Sequence, residues 1–149
     1  MSIKFSRRHL FWAVPLVVVA IAGAGYAAMM MGPPPADLDL ALSKTTDHGL
    51  YVTSLAADVS LVPVGAIHTW TVTVTTPDGA PADGVAIAVD GGMPQHGHGL
   101  PTKPQVTTDM GGGKHLIEGM KFNMDGWWTL TVSIDGPQGA DTATFNLVL

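Results

Sequence analysis

Three side chains that can bind a soft metal fall within six residues of one another: Met93, His96 and His98, in GGMPQHGHGLPTKP. A His-x-His pair in an extended chain directs both imidazoles to the same side. Gly97 and Gly99 beside them leave the backbone free to bend around an ion. The punctuation by Gly and Pro predicts a loop long enough to carry a function.

A second group of sulfur donors follows in EGMKFNMDG, where Met120 and Met124 stand four residues apart. Thioether and imidazole together favour copper over calcium or magnesium, which prefer oxygen. Tetrahedral zinc normally recruits cysteine or a carboxylate as well. The residue types therefore predict a copper site made of Met93, His96, His98 and one or both of Met120 and Met124.

Packing is the competing interpretation for the two downstream methionines. Methionine commonly fills gaps in a core, so Met120 could be buried without binding anything. Met124 could equally cap the core beside Trp127 and Trp128. Strand alternation should send one of these indole rings into the core and the other outward, as a partner contact or a cover for the metal loop.

The other histidines of the domain, His48, His68 and His115, are interpreted as structural or exposed. His68 is in phase with Trp70 and Val72 along an alternating segment. A buried, hydrogen-bonded residue is therefore expected at His68.

Composition excludes several functional classes. The chain of 149 residues has 12 acidic and 7 basic residues, a net charge of -5 and no cysteine. An acidic domain does not suit nucleic acid, and no disulfide can form. No nucleophile in a catalytic context, acid–base pair or phosphate loop is present, so the sequence predicts a protein that is not an enzyme.

The N-terminal 31 residues carry a targeting pattern. Residues 1–9 form a basic leader with Lys4, Arg7 and Arg8, and residues 10–31 are apolar and long enough for a transmembrane anchor. The basic flank predicts a cytoplasmic N-terminus and a periplasmic domain, with lipid contacting the anchor. A signal peptide cleaved after Ala27 is the alternative. Residues 32–36, GPPPA, predict a stiff spacer, and the domain should span residues 37–149.

Period-two alternation of apolar and polar residues dominates residues 37–149. Such runs are typical of half-buried strands, and Gly- and Pro-rich turn signals separate them. The runs cover residues 38–42, 69–75, 85–89, 127–134 and 142–149. They predict an all-β fold, an immunoglobulin-like antiparallel sandwich of six to eight strands.

Residues 49–149 resemble the YtkA-like family of small exported β-sandwich domains. The resemblance is carried by GGMPQHGHGLPTKPQV, by GGGKHLIEGMKFNMDGWWTLTVSIDG and by the terminal TFNLVL. It implies an immunoglobulin-like fold and a layout similar to FixH-type and CopC-like periplasmic proteins, which are associated with copper handling or respiratory oxidase assembly. The matching motif residues are Met93, Pro94, His96, His98, Gly99, Met120, Phe122, Met124 and Trp128.

Two functional hypotheses follow. The first is a membrane-anchored periplasmic protein that binds copper and delivers or buffers it, as a chaperone, for a respiratory oxidase or other copper enzyme. The second is a non-catalytic accessory or assembly subunit of a membrane complex, without metal. In the second case the anchor packs on other helices, and the outward Trp and the Gly/Pro loop dock on the partner.

Overall fold

The computed structural model describes residues 32–149, so the expected leader (1–9) and anchor (10–31) lie outside the described residues. Within the described part of the chain, no helix is long and apolar enough to cross a membrane. A compact unit extends from Pro34 to Leu149. The spacer at residues 32–36 has no regular secondary structure.

Nine β-strands make up the described unit. Their bounds are β1 Ser43–Thr45, β2 Val52–Ala57, β3 His68–Thr75, β4 Ala86–Met93, β5 His98–Gly99, β6 Gln105–Gly111, β7 Lys114–Met120, β8 Trp127–Gly136 and β9 Gly139–Val148. The all-β prediction is confirmed for these residues. The nine strands exceed the predicted six to eight because the count includes two very short strands, β1 and β5, which the sequence pattern did not reveal.

The strands form two antiparallel sheets that enclose one core. One sheet has the order β1-β2-β3-β7-β6 and the other has the order β5-β4-β8-β9. Alternate residues of β3 and β8 point inward, as the period-two pattern predicts. The largest fully buried side chains are Trp70, Trp128, Tyr51, Phe122, Phe145, Met93, Ile117 and Met120.

The alternating run at residues 38–42 is not a strand, which corrects the sequence prediction. The carboxylate of Asp39 accepts the backbone N–H of Ala41 at 2.9 Å and the Lys44 ammonium at 2.8 Å. An aspartate that bonds the backbone two residues on favours a turn over extended pairing. Strand β1 therefore begins only at Ser43.

One end of the sandwich gathers the segments that the sequence singled out. His68 at the start of β3 pairs with Met120 at the end of β7. In the other sheet, β4 ends at Met93 beside the start of β8. Residues 121–126 connect β7 to β8 and so link the two sheets at this end. We call it the site pole: the turn at residues 93–98, the connection at residues 121–126, and the adjoining strand ends.

Candidate metal centre

The β4–β5 hairpin positions the first group of predicted ligands. Met93 and His98 lie directly opposite each other in this antiparallel pair, so their side chains share a face. The carbonyl of Met93 accepts the backbone N–H groups of His96 and Gly97, at 3.1 and 2.9 Å. Gly97 has φ +66°, a left-handed conformation that glycine adopts without strain. This tight turn fixes both histidines close to Met93.

The two imidazoles of the hairpin lie next to each other. The ring centroids of His96 and His98 are 6.0 Å apart and the planes are inclined by 27°. A nitrogen–metal bond of about 2.0 Å allows centroid separations of roughly 4.5–6.4 Å for two imidazoles on one ion. The observed spacing lies within this range, near its upper end, which corresponds to a wide nitrogen–metal–nitrogen angle.

The His98 ring is oriented by its own backbone. Its Nδ1 lies 3.1 Å from the carbonyl oxygen of Gly99. A carbonyl oxygen only accepts, so Nδ1 carries the hydrogen and the neutral ring has its lone pair on Nε2. Metal-ligating histidines are commonly held by this kind of contact.

The connection at residues 121–126 meets the hairpin, which unites the two sequence motifs in space. A Cβ placed on Gly126 would lie 2.9 Å from the Cε atom of Met93. The indole Nε1 of Trp128 donates to the carbonyl of Met124 at 3.1 Å. The same indole ring packs edge-on against His98, with centroids 5.7 Å apart. Trp128 thus joins the Met124 backbone to the hairpin histidine.

The three methionines differ in accessibility. Met124 is 37% exposed, whereas Met93 is 1% and Met120 is 0% exposed. Met93 and Met120 take part in the hydrophobic core. The packing interpretation allowed this for Met120, whereas the burial of Met93 was not predicted. The two residues come from opposite sheets, and Met120 lies beside His68. A single coordination sphere containing all five predicted ligands stays a prediction, although all five lie at the site pole.

Aromatic rings connect the two sheets at this pole. Phe122 packs on Trp128 with centroids 5.1 Å apart and on His68 with centroids 5.6 Å apart. Together with His96 and His98, these rings form a continuous series from the exposed hairpin to the interior. Trp128 is the inward ring of the Trp pair, and the half-buried Trp127 donates from Nε1 to Asn146. Trp128, the inward ring, is therefore the one that packs against the hairpin.

His68 is a residue of this pole that the sequence interpretation assigned to structure alone. It is 6% exposed, as its phase predicted. Its Nδ1 lies 3.2 Å from the Ala66 carbonyl oxygen, while its Nε2 has no hydrogen-bond partner among residues 32–149. The alternation of His68 with Trp70 was the sequence signal for its burial. The position of Met120 opposite His68 depends on the strand register and leaves no such signal.

The predicted ligands at the site pole offer imidazole nitrogen and thioether sulfur. No cluster of three or more His, Cys, Asp or Glu suited to a metal occurs in the described part of the chain. Sulfur and nitrogen donors together are suited to a soft cation such as copper(I).

The buried carboxylate of Asp141 lies at the other end of the sandwich. Its two oxygens each accept the His48 backbone N–H at 3.1 Å, and they also accept from the backbone of Leu50 and Thr142. Burial acts to raise the pKa of Asp141, but hydrogen bonds from Thr46, His48, Thr142 and Leu50 outweigh it and hold the pKa well below its ordinary value. This cluster fastens the turn before β2 to β9 and has a structural role.

A family model described as YtkA-like matches residues 52–133. The matched span runs from β2 into β8 and includes the whole of the hairpin and the connection at residues 121–126. No curated protein and no solved structure gives a significant match to the chain.

Proposed function

We propose that this chain, which belongs to the YtkA-like family, binds copper at the site pole and passes it on to a partner protein. One observation carries the proposal: the Cε atom of Met93 packs against Gly126, so the histidine hairpin and the Met124 segment adjoin. Two motifs that are far apart in sequence thereby present nitrogen and sulfur donors in one place. Such a donor set selects a soft cation.

The accessible donors make the site suited to transfer. His96 is exposed, His98 is half-buried, and Met124 is partly exposed, so an incoming ligand can reach the ion. Met93 is buried and lies opposite His98 in the hairpin. Its flexible side chain can turn toward the ion without displacing the backbone. Copper held by a few accessible ligands exchanges readily with a partner protein that offers the same donors.

The expected location follows from residues 1–31 and is part of the same proposal. A basic leader followed by an apolar segment would place the domain on the periplasmic face of the inner membrane. The absence of cysteine from the sequence agrees with an oxidising compartment. The recipient would be a respiratory oxidase or another copper enzyme of that membrane, which makes the protein a copper chaperone or buffer.

The strand order supports a finer description of the sandwich as immunoglobulin-like. If β1 and β2 together represent strand A and β3, β7 and β6 represent B, E and D, the first sheet has the order A-B-E-D. With β4, β8 and β9 as C, F and G, the second sheet adds β5 as a short edge strand beside C. The hairpin of the candidate site is then the connection that leaves strand C.

An accessory subunit without metal is the second candidate, and exposed apolar side chains favour it. Leu61 and Ile67, in the connection between β2 and β3, are 84% and 67% exposed. Val64 of the same connection forms a β-bridge with Phe122, which brings the segment to the site pole. Apolar side chains exposed together are typical of a protein–protein contact.

Metal titration of the full-length chain in detergent micelles tests the first proposal. Replacing both hairpin histidines, His96→Ala with His98→Ala, should weaken copper(I) binding by at least about 10–100-fold. The control is His48→Ala, an imidazole at the opposite end of the sandwich whose Nδ1 lies 2.9 Å from the Asp141 carboxylate; it should lower stability but leave the copper affinity unchanged. Equal affinity in the double variant and the wild type would remove the hairpin site. Metal-free protein isolated within an intact membrane complex would favour the accessory role.

A further inference from the structure

His68 carries a buried nitrogen with a free lone pair. The Ala66 carbonyl 3.2 Å from Nδ1 only accepts, so in the neutral ring the hydrogen is on Nδ1 and Nε2 is unprotonated. Nε2 is buried and has no partner among the described residues. A buried acceptor without a partner is costly, so its presence needs an explanation.

The nearest neighbour across the sheet is a thioether. His68 and Met120 are directly opposed in the antiparallel pair of β3 and β7, and both side chains face the interior. Opposed residues of such a pair have Cα atoms about 4.5–5.5 Å apart, which puts their side chains on one face of the sheet, here beside the register shift between His68 and Trp70. The pairing therefore brings a soft sulfur donor within reach of His68 Nε2.

We propose that His68 Nε2 and the Met120 sulfur form a second, buried site for a soft monovalent cation, copper(I), separate from the hairpin imidazoles. The inference deepens the proposed function and rests on it. The Nδ1–H contact with a backbone carbonyl is the arrangement that holds ligating imidazoles in place.

The surroundings of the pair suit a cation with few ligands. The rings of Phe122 and Trp70 have centroids 5.6 and 6.3 Å from that of His68. Aromatic faces attract a cation most strongly where water is excluded. The rings of Trp128 and Phe122 lie in series between the hairpin and this inner pair, so the hairpin would receive the ion first.

A bridging water is the rival explanation. The Nε1 of Trp70, which can only donate, is also buried without a partner among residues 32–149. One water could accept from Trp70 and donate to His68 Nε2. Such a water would satisfy both groups without any role for the Met120 sulfur, so the two explanations differ in what they expect of Met120.

Silver(I), a soft and redox-inert probe, distinguishes them by NMR of the full-length chain in micelles, with ¹³C-methyl methionine and ¹⁵N histidine labels. The proposal expects the Met120 methyl and His68 Nε2 signals to shift together on addition of silver(I). They should also shift in the His96→Ala, His98→Ala variant, where the hairpin cannot bind. Met120→Leu, which conserves core volume, should lower the silver affinity of His68 at least about tenfold.

His115 is the matched internal control. It is equally buried on the same sheet and its Nε2 is also without a partner among the described residues, but Val72 is opposite it on β3. Its signals should not respond to silver(I). If the hairpin responds and His68 with Met120 does not, the inner site is overturned and the proposed function stands. If neither responds, both are overturned. If Met120→Leu fails to fold, the wild-type and double-variant spectra still decide.

Discussion

The imidazole of His98 meets the indole of Trp128 edge-on, with ring centroids 5.7 Å apart and planes inclined by 68°. A copper(II) ion bound to the hairpin would therefore lie close enough to Trp128 to quench its fluorescence. We expect copper(II) to reduce the emission of the wild-type chain strongly and saturably. We expect zinc(II), which is d¹⁰ and redox-inactive, to leave the emission nearly unchanged.

Two variants test whether the quenching comes from copper(II) bound at the hairpin and acts on Trp128. His98→Ala should abolish most of the saturable effect. Trp127→Phe should preserve it, because the Trp127 indole is bonded to Asn146 on the outer face of its sheet. Quenching of the same size in the His98→Ala protein would contradict ligation at the hairpin.

Gly126→Ala should damage both stability and metal binding. Gly126 has φ +125°, and an added Cβ would lie 2.9 Å from the Met93 Cε atom. Backbone strain at this positive φ should lower the free energy of unfolding by about 1–3 kcal/mol, and the end of the Met93 side chain must shift to admit the methyl group. The displaced connection should weaken copper binding, measured by competition with a chelator.

Gly79→Ala is the control for backbone strain alone. Gly79 also has positive φ, +90°, but nothing lies within 4 Å of its added Cβ. It should reduce stability while leaving copper affinity at the wild-type value. An equal loss of affinity in both variants would show that the contact between Met93 and Gly126 has no particular role.

The sequence predicted those strands that have one buried and one exposed face, because apolar and polar residues alternate along them. The inward side chains of β3 and β8 are apolar and alternate with threonine and serine, so periodicity alone found them. Strand β6 lies at a sheet edge with nearly every residue exposed, so it carries no alternation to detect. The pairing of β7 with β3 includes a register shift between His68 and Trp70 of β3. The local sequence of neither strand encodes that shift.

The candidate site was predictable in its donor types but not in their burial. His96 and His98 adjoin, as their proximity in sequence predicted, but a turn at residues 94–97 brings them together and not the extended chain that was expected. Met93 and Met120 end strands in the inward phase, and only the sheet packing decides that they are buried. The relation of His68 to Met120 could not be predicted from the sequence, because it is a cross-strand one, set by the pairing of β3 with β7.

The folded state should lose stability in acid partly through Asp141. Its hydrogen bonds hold its pKa below the ordinary value. A carboxyl group with a depressed folded pKa contributes stability above its unfolded pKa, about pH 4, and loses it as pH falls further. We expect the melting temperature to drop below about pH 4.

Asp141→Asn should be less stable at neutral pH, because a neutral amide replaces the charged acceptor of the His48 and Leu50 amides. It should also lose less stability between pH 5 and pH 3 than the wild type does. Asp83→Asn, at an exposed position, should change neutral-pH stability by no more than about 0.5 kcal/mol. Parallel pH–stability curves for the wild type and Asp141→Asn would contradict this assignment.

Replacing methionines with leucine separates ligation from packing. Met124 is partly exposed, so Met124→Leu should change the free energy of unfolding by less than about 0.5 kcal/mol yet weaken copper(I) binding, because leucine has no sulfur. Met93→Leu is a volume-conserving core substitution that should cost less than about 1.5 kcal/mol. Chelator competition on both variants measures the copper(I) affinity, and denaturant unfolding measures the free energy of unfolding.

If Met124→Leu binds as the wild type does while Met93→Leu binds weakly, the buried thioether is the ligand. Wild-type affinity in both would leave the hairpin imidazoles without a sulfur partner and contradict the proposed donor set.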